Sequence, residues 1–198
     1  MIPDKTERLR RAVCDAYSNA AIVPEGKHPF PVGRAFAESL GYPADQLQAL
    51  PSISVEAFSG VSNVSVFAEL PPGSRVLDLG CGAGLDSLIA GRRAGTDGRV
   101  VGIDFSEPML ERAHRAAVQA DICNVHFCRA AGEKLPIKTG AIDVALVNGI
   151  FNLNPLRAEM FAELARVVRP GGSVYAAELI LTGPLSSEVQ ASEENWFA

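Results

Sequence analysis

No two cysteines of this 198-residue chain are spaced as CxxC, no Lys/Arg run exceeds two residues, and no apolar stretch approaches the length of a membrane span. Each absence removes a class of function. The N-terminus, MIPDKTERLRRAV, is charged where a secretory leader carries its apolar stretch, so the expected setting is cytoplasmic. In that setting Cys14, Cys81, Cys123 and Cys128 read as free thiols, with neither a disulfide framework nor a bound metal expected. Basic residues number 18 against 23 acidic ones, and nothing marks a surface for nucleic acid or lipid headgroups. The expected partner is a small molecule. There is no internal repeat and no low-complexity tract.

What is present is apolar side chain, 47% of the total, enough for one ordinary core. Leu9, Ala12, Val13, Ala16, Tyr17 and Ala20 recur at helical spacing and predict an amphipathic helix over 5–20 whose stripe must dock on another element. A proline- and glycine-rich crossing, IVPEGKHPFPVG, leads to short helices near 33–40 and 44–50, and VEAFSGVSNVSVFAEL reads as one or two more, broken near Gly60. Residues 1–72 are therefore expected to form a helical cap. From residue 75 onward apolar strands alternate with helix-length amphipathic segments: strands at 75–79, 99–103, 124–128, 142–147 and 172–180, helices at 84–94, 106–120 and 154–168. Asn154 and Pro155 suit the first positions of the last helix, and RPGG stops it. This order predicts an α/β fold, a doubly wound, mainly parallel sheet with helices on both faces, over 73–198.

Ligands of such sheets bind beyond the carboxyl ends of the strands, where the strand order reverses. The loop DLGCGAG, residues 78–84, falls there. Dinucleotide sites use GxGxxG, in which the third glycine brings the helix close to a pyrophosphate. Here Gly80, Gly82 and Gly84 are spaced GxGxG and Leu85 stands in the place of that third glycine, which weakens a nicotinamide-dependent oxidoreductase reading. Asp104 follows the second strand, 26 residues after Asp78, where a carboxylate can accept both hydroxyls of a ribose. Alone, Asp104 reads equally as favourable charge at the start of the next helix, beside its expected cap Ser106. A ribose without a pyrophosphate points to S-adenosylmethionine.

The segments VLDLGCGAG, VVGIDFSEPMLERA, AGEKLP, IDVALVNGIFNL and LARVVRPGG resemble the successive motifs of class I S-adenosylmethionine-dependent methyltransferases, with a Rossmann-like domain. The combination of GLDSLIAGRRAGTDGRVVGIDFS, NGIFNLNP and FSGVSN looks most like the arsenite methyltransferase group. The resemblance implies that Asp78, Gly80, Cys81, Gly82 and Gly84 wrap the methionine part of S-adenosylmethionine, with Asp86 nearby. It implies Asp104 on the ribose, Phe105 and Met109 beside the adenine, Gly132 and Glu133 on the adenine side, and Asn148 facing the methionine moiety. Tyr17 either closes over the cofactor or is a core aromatic of its helix stripe.

Departures from that family's pattern bear on the acceptor. Gly149 stands where arsenite methyltransferases carry a cysteine, and GVSN lacks another, so a three-thiolate arsenic site is not expected. Cys14 reads either as a thiol near the cofactor or as a small buried hydrophobe. His28, Phe151 and Asn152 are candidates for the substrate side, His114 and His126 are expected to be structural or solvated, and no catalytic residue is assigned. The expected activity is methyl transfer to a small-molecule acceptor, with S-adenosylhomocysteine as product; a non-catalytic or truncated S-adenosylmethionine-binding module is the alternative. The family sheet ends in a further strand pair, and the chain stops at SEENWFA, so a covered sheet edge or a homodimer is expected.

Overall fold

The computed structural model describes residues 5–184, so the expectations attached to the SEENWFA end lie outside the described residues. Helix α1, Lys5–Ile22, buries Leu9, Val13, Ala20 and Ala21 and leaves Ala12, Ala16 and Tyr17 half-buried. Four short helices follow: α2 (Arg34–Ser39), α3 (Ala44–Gln48), α4 (Ser52–Val55) and α5 (Val64–Phe67). Then come β1 (Arg75–Leu79), α6 (Leu85–Ala94), β2 (Arg99–Asp104), α7 (Glu107–Gln119), β3 (Val125–Arg129), β4 (Ile142–Asn148), α8 (Arg157–Val167) and β5 (Val168–Ala177). No helix among the described residues is long and apolar enough to cross a membrane.

The five strands form one Rossmann-like sheet in the order β3-β2-β1-β4-β5, every pairing parallel. Strand order reverses between β1 and β4, which places the loop after β1 at the switch point. Side chains alternate between faces along each strand. Val76, Val100, Val144 and Leu146 meet Ala90 and Ala94 of α6 with Val64 of α5, whereas Leu77, Leu79, Ala145 and Val147 meet Met160, Leu164 and Val167 of α8. Both faces are covered, which is why the strands read as nearly unbroken apolar runs. The N-terminal segment is part of the same packing: Tyr42, Leu47, Val55 and Phe58 share a cluster with Leu85, Leu88 and Ile89 of α6 and Ala116 of α7.

Two element boundaries differ from the sequence expectation, each for a local reason. Helix α8 begins at Arg157 rather than Asn154, after a 3-10 turn over Phe151–Leu153. The Asn154 side chain is spent elsewhere: its Oδ1 accepts from the Leu156 N–H at 2.8 Å and its Nδ2 donates to Glu133 at 3.0 Å, closing an Asx turn in place of a helix cap. Strand β5 begins at Val168, before RPGG, because the register jumps from Ile142 opposite Val168 to Val144 opposite Ser173. Pro170, Gly171 and Gly172 bulge out of the ladder there. Asp143 beside this bulge receives Arg75 at 2.9 Å and Arg169 at 2.6 Å, and the two guanidiniums hold its carboxyl well below the usual range.

Candidate functional site

Leu79 ends β1, and the chain then turns sharply enough for the amides of Gly80 and Cys81 both to donate to the Ile103 carbonyl, at 2.7 and 3.0 Å. Gly80 has φ +74°, and a Cβ there would sit 2.2 Å from Cδ1 of Ile150. Only a bare backbone lets that side chain lie on the loop. Gly80→Ala is expected to lower stability by ~1–2 kcal/mol through its left-handed φ and the displaced Ile150, read as a shifted urea midpoint.

Around this loop lies a cavity of about 590 Å³. Eleven of the expected cofactor residues line it: Tyr17, Asp78, Gly80, Cys81, Gly82, Asp86, Asp104, Phe105, Gly132, Glu133 and Asn148. Gly84 is the left-handed residue preceding α6, and its open side faces Ala113 and Phe127, each 3.0 Å from a would-be Cβ. Met109 is buried among Ala20, Ala21, Ala57 and Ala83. Neither lines the cavity; both serve packing of α7. Nor do the three substrate-side candidates line it. His28 Nε2 lies 2.9 Å from the Val23 carbonyl, Phe151 packs on Phe161 with centroids 4.5 Å apart, and Asn152 Nδ2 donates to the Leu179 carbonyl at 2.5 Å.

Three carboxylates of the wall set the electrostatics, Asp78 and Asp86 buried and Asp104 half-buried. Asp104 accepts from the Gly82 N–H at 2.9 Å and the Ser106 N–H at 2.8 Å, one on each oxygen, so each oxygen keeps an acceptor position toward the cavity. Burial raises its pKa, and backbone amides oppose the rise. Asp78 accepts a 2.5 Å hydrogen bond from Ser87 Oγ and is pushed up to about 8, first by burial, then by the negative charge of Asp86. Burial likewise pushes the Cys81 thiol up, with Asp104 and Asp78 adding to it. Tyr17 stacks on Phe30 with centroids 4.3 Å apart; its phenol is raised by burial and then by Asp104 and Glu178.

Helix α1 roofs the cavity. Arg10 pairs with Glu133 at 2.6 Å, and Ser18 Oγ lies 2.9 Å from Ser106 Oγ, which also caps α7 by accepting from the Met109 N–H. Cys14 lines the cavity from α1, while Cys123 is exposed and Cys128 lies on β3, neither in the cavity wall. Phe58, Ser59, Gly60, Ile150, Leu153 and Met160 also line the cavity. They are generic apolar and loop residues to a reader of the sequence, and only the fold places them here.

The chain has counterparts among known proteins. Residues 70–197 match the model of the family described as methyltransferase domain. The arsenite methyltransferase of Halobacterium salinarum is 33% identical over 159 residues, covering 80% of this chain and 40% of that protein. The demethylmenaquinone methyltransferase of Lactococcus lactis is 33% identical over 106 residues, covering 54% of this chain and 42% of that one. The chain thus spans about two fifths of the length of these curated relatives. Among solved structures, an arsenic(III) S-adenosylmethionine methyltransferase from Chlamydomonas reinhardtii superposes with a TM-score of 0.63 at 26% identity, covering 84% of this chain and 57% of that one.

Proposed function

This chain belongs to the methyltransferase domain family, and on that premise we propose that it transfers the methyl group of S-adenosylmethionine to a small-molecule acceptor held in the same cavity. The observation that carries the reading is the pair of carboxylates in the cavity wall, buried Asp78 and half-buried Asp104, on either side of the loop 79–84 with acceptor positions unspent. They fit a ribose diol and a cationic amino-acid moiety. They do not fit a pyrophosphate, because Asp86 occupies the first turn of α6, the place where a dinucleotide's charge would have to sit.

Bound there, S-adenosylmethionine supplies a methyl group made electrophilic by a positively charged sulfur. Asp104 would hold the ribose, Gly80 and Gly82 would give close backbone approach, Phe105 and Gly132 would lie on the adenine side, and Tyr17 with α1 would exclude water. Glu133 contributes by fastening α1 through Arg10. The work left to the protein is alignment of donor and acceptor. The relatives' printed activities offer arsenite and demethylmenaquinone as acceptor classes. Only Cys14 and Cys81 bring thiols to the cavity, which disfavours arsenite held by three thiolates.

Calorimetric titration with S-adenosylhomocysteine, with NAD alongside, tests the reading. Micromolar-range binding of the homocysteine product alone is expected; no heat with it, or a preference for NAD, would overturn it. Binding of S-adenosylmethionine without label transfer to a panel of thiol, quinol and arsenite acceptors would favour a non-catalytic module.

A further inference from the structure

Asn148, at the end of β4, has its amide fully engaged within the protein. Its Oδ1 accepts from the Val61 N–H at 2.8 Å and the Ser62 N–H at 3.1 Å, and its Nδ2 donates to the Ser62 carbonyl at 2.7 Å and to Asp86 Oδ2 at 2.9 Å. A carboxamide has two donor hydrogens and two acceptor lone pairs. All four are spent. Asp86, in the first turn of α6, receives on its other oxygen the Tyr42 hydroxyl at 2.6 Å, the Ser65 hydroxyl and the Ser65 N–H at 3.4 Å. Gly60 makes the approach possible, since a Cβ there would stand 2.5 Å from Asn148 Nδ2.

Four stretches far apart in sequence therefore meet in one buried polar cluster: the turn after α2, the loop 59–63 with the start of α5, the start of α6 and the end of β4. Ser59 and Gly60 of that loop form part of the cavity wall beside Asn148. Tyr42 is 2% exposed and does not itself line the cavity; its hydroxyl bonds Asp86, the Ser62 carbonyl and Asn148, and its ring packs edge-on against Phe58 with centroids 5.0 Å apart.

We propose that Asn148 and Asp86 are positioning residues: with Tyr42 they form a latch that holds the 59–63 segment so that Ser59 and Gly60 stay in the wall of the cofactor cavity, and Asn148 gives no hydrogen bond to the cofactor itself. The inference rests on the cavity's reading as an S-adenosylmethionine site. It replaces the expectation that Asn148 faces the methionine moiety with an indirect role, in which the side chain sets the wall against which donor and acceptor align.

The test combines amide hydrogen exchange of the cofactor-free protein, resolved by residue, with titration by S-adenosylhomocysteine, for wild type, Tyr42→Phe, Asn148→Ala and the double variant. In Asn148→Ala the Val61 and Ser62 amides are expected to exchange about tenfold faster or more, while the Leu88 amide of α6 holds its protection. Tyr42→Phe is expected to speed the same two amides to a smaller extent and to weaken S-adenosylhomocysteine severalfold, although Tyr42 does not itself line the cavity and the substitution keeps its ring packed on Phe58. The double variant should bind no more weakly than Asn148→Ala alone, because both changes open one latch. Unchanged Val61 and Ser62 exchange in Asn148→Ala, or affinity losses that simply add, would overturn the proposal. If Asn148→Ala does not fold, wild-type exchange and affinity in Tyr42→Phe would overturn it equally. Should the wild type take up no S-adenosylhomocysteine, the function reading fails and the exchange data alone decide the latch.

Discussion

Asp104→Ala is expected to abolish measurable S-adenosylhomocysteine binding while leaving the fold in place. Each hydrogen bond from a ribose hydroxyl to a charged carboxylate contributes ~1.5–3 kcal/mol, so losing two lowers affinity by roughly 10²–10⁴. The carboxylate also organises its surroundings, since one oxygen holds the Gly82 amide and the other the Ser106 amide. Alanine leaves both donors without their partner, which loosens the loop as well as the ribose contact. Asn at this position is no conservative change: its NH₂ group would point at one of those two N–H donors, so Asp104→Asn should bind only slightly better than Asp104→Ala. Far-ultraviolet circular dichroism separates loss of site from loss of fold. Wild-type affinity in Asp104→Ala would remove Asp104 from the site.

The sheet was legible because its signals are local. RVLDL, RVVGI and IDVALV are short apolar runs separated by helix-length segments, and burial on both faces leaves that mark in the sequence whatever the rest of the chain does. The glycine loop was legible for the same reason, its turn being encoded within five residues. The polar cluster was not. Tyr42, Ser65, Asp86 and Asn148 are scattered over more than a hundred positions and fall into no spacing rule, so only tertiary contact brings their polar atoms together. Met109 shows the converse limit, since its place in α7 admits either an adenine contact or a core contact, and rotation of the helix decides for Ala20, Ala57 and Ala83. Asn154 closes an Asx turn where the sequence predicts a helix cap, because both use the same residue type and its bond to Glu133 is invisible in sequence.

Stability of the cofactor-free protein is expected to fall as pH rises from about 4 to 8, and Asp78 is the main cause. Its carboxyl is pushed up to about 8 in the folded chain from an ordinary 3.8, so across that window the folded state holds a proton that the unfolded state has released. Stability then decreases with rising pH, by at most ~1.4 kcal/mol per unit for one such group, and levels off above the folded value. Asp104, raised by burial, acts in the same direction. Asp143 and Glu163 act oppositely: arginine partners depress both, and their contribution is lost only as pH falls below the ordinary carboxyl range. Stability should therefore peak near the bottom of the window. Asp78→Asn keeps the size and the Ser87 contact but has no proton to lose, so its urea midpoint should vary far less between pH 5.5 and 8.5 than that of wild type. An equal slope in both proteins would rule out Asp78 as the source. The same proton couples to function, because a cation docking beside Asp78 favours the ionised carboxylate. S-adenosylmethionine should then bind more tightly as pH rises toward 8 and release a proton on binding, visible as a calorimetric heat that changes with the buffer's ionisation enthalpy and is absent in Asp78→Asn.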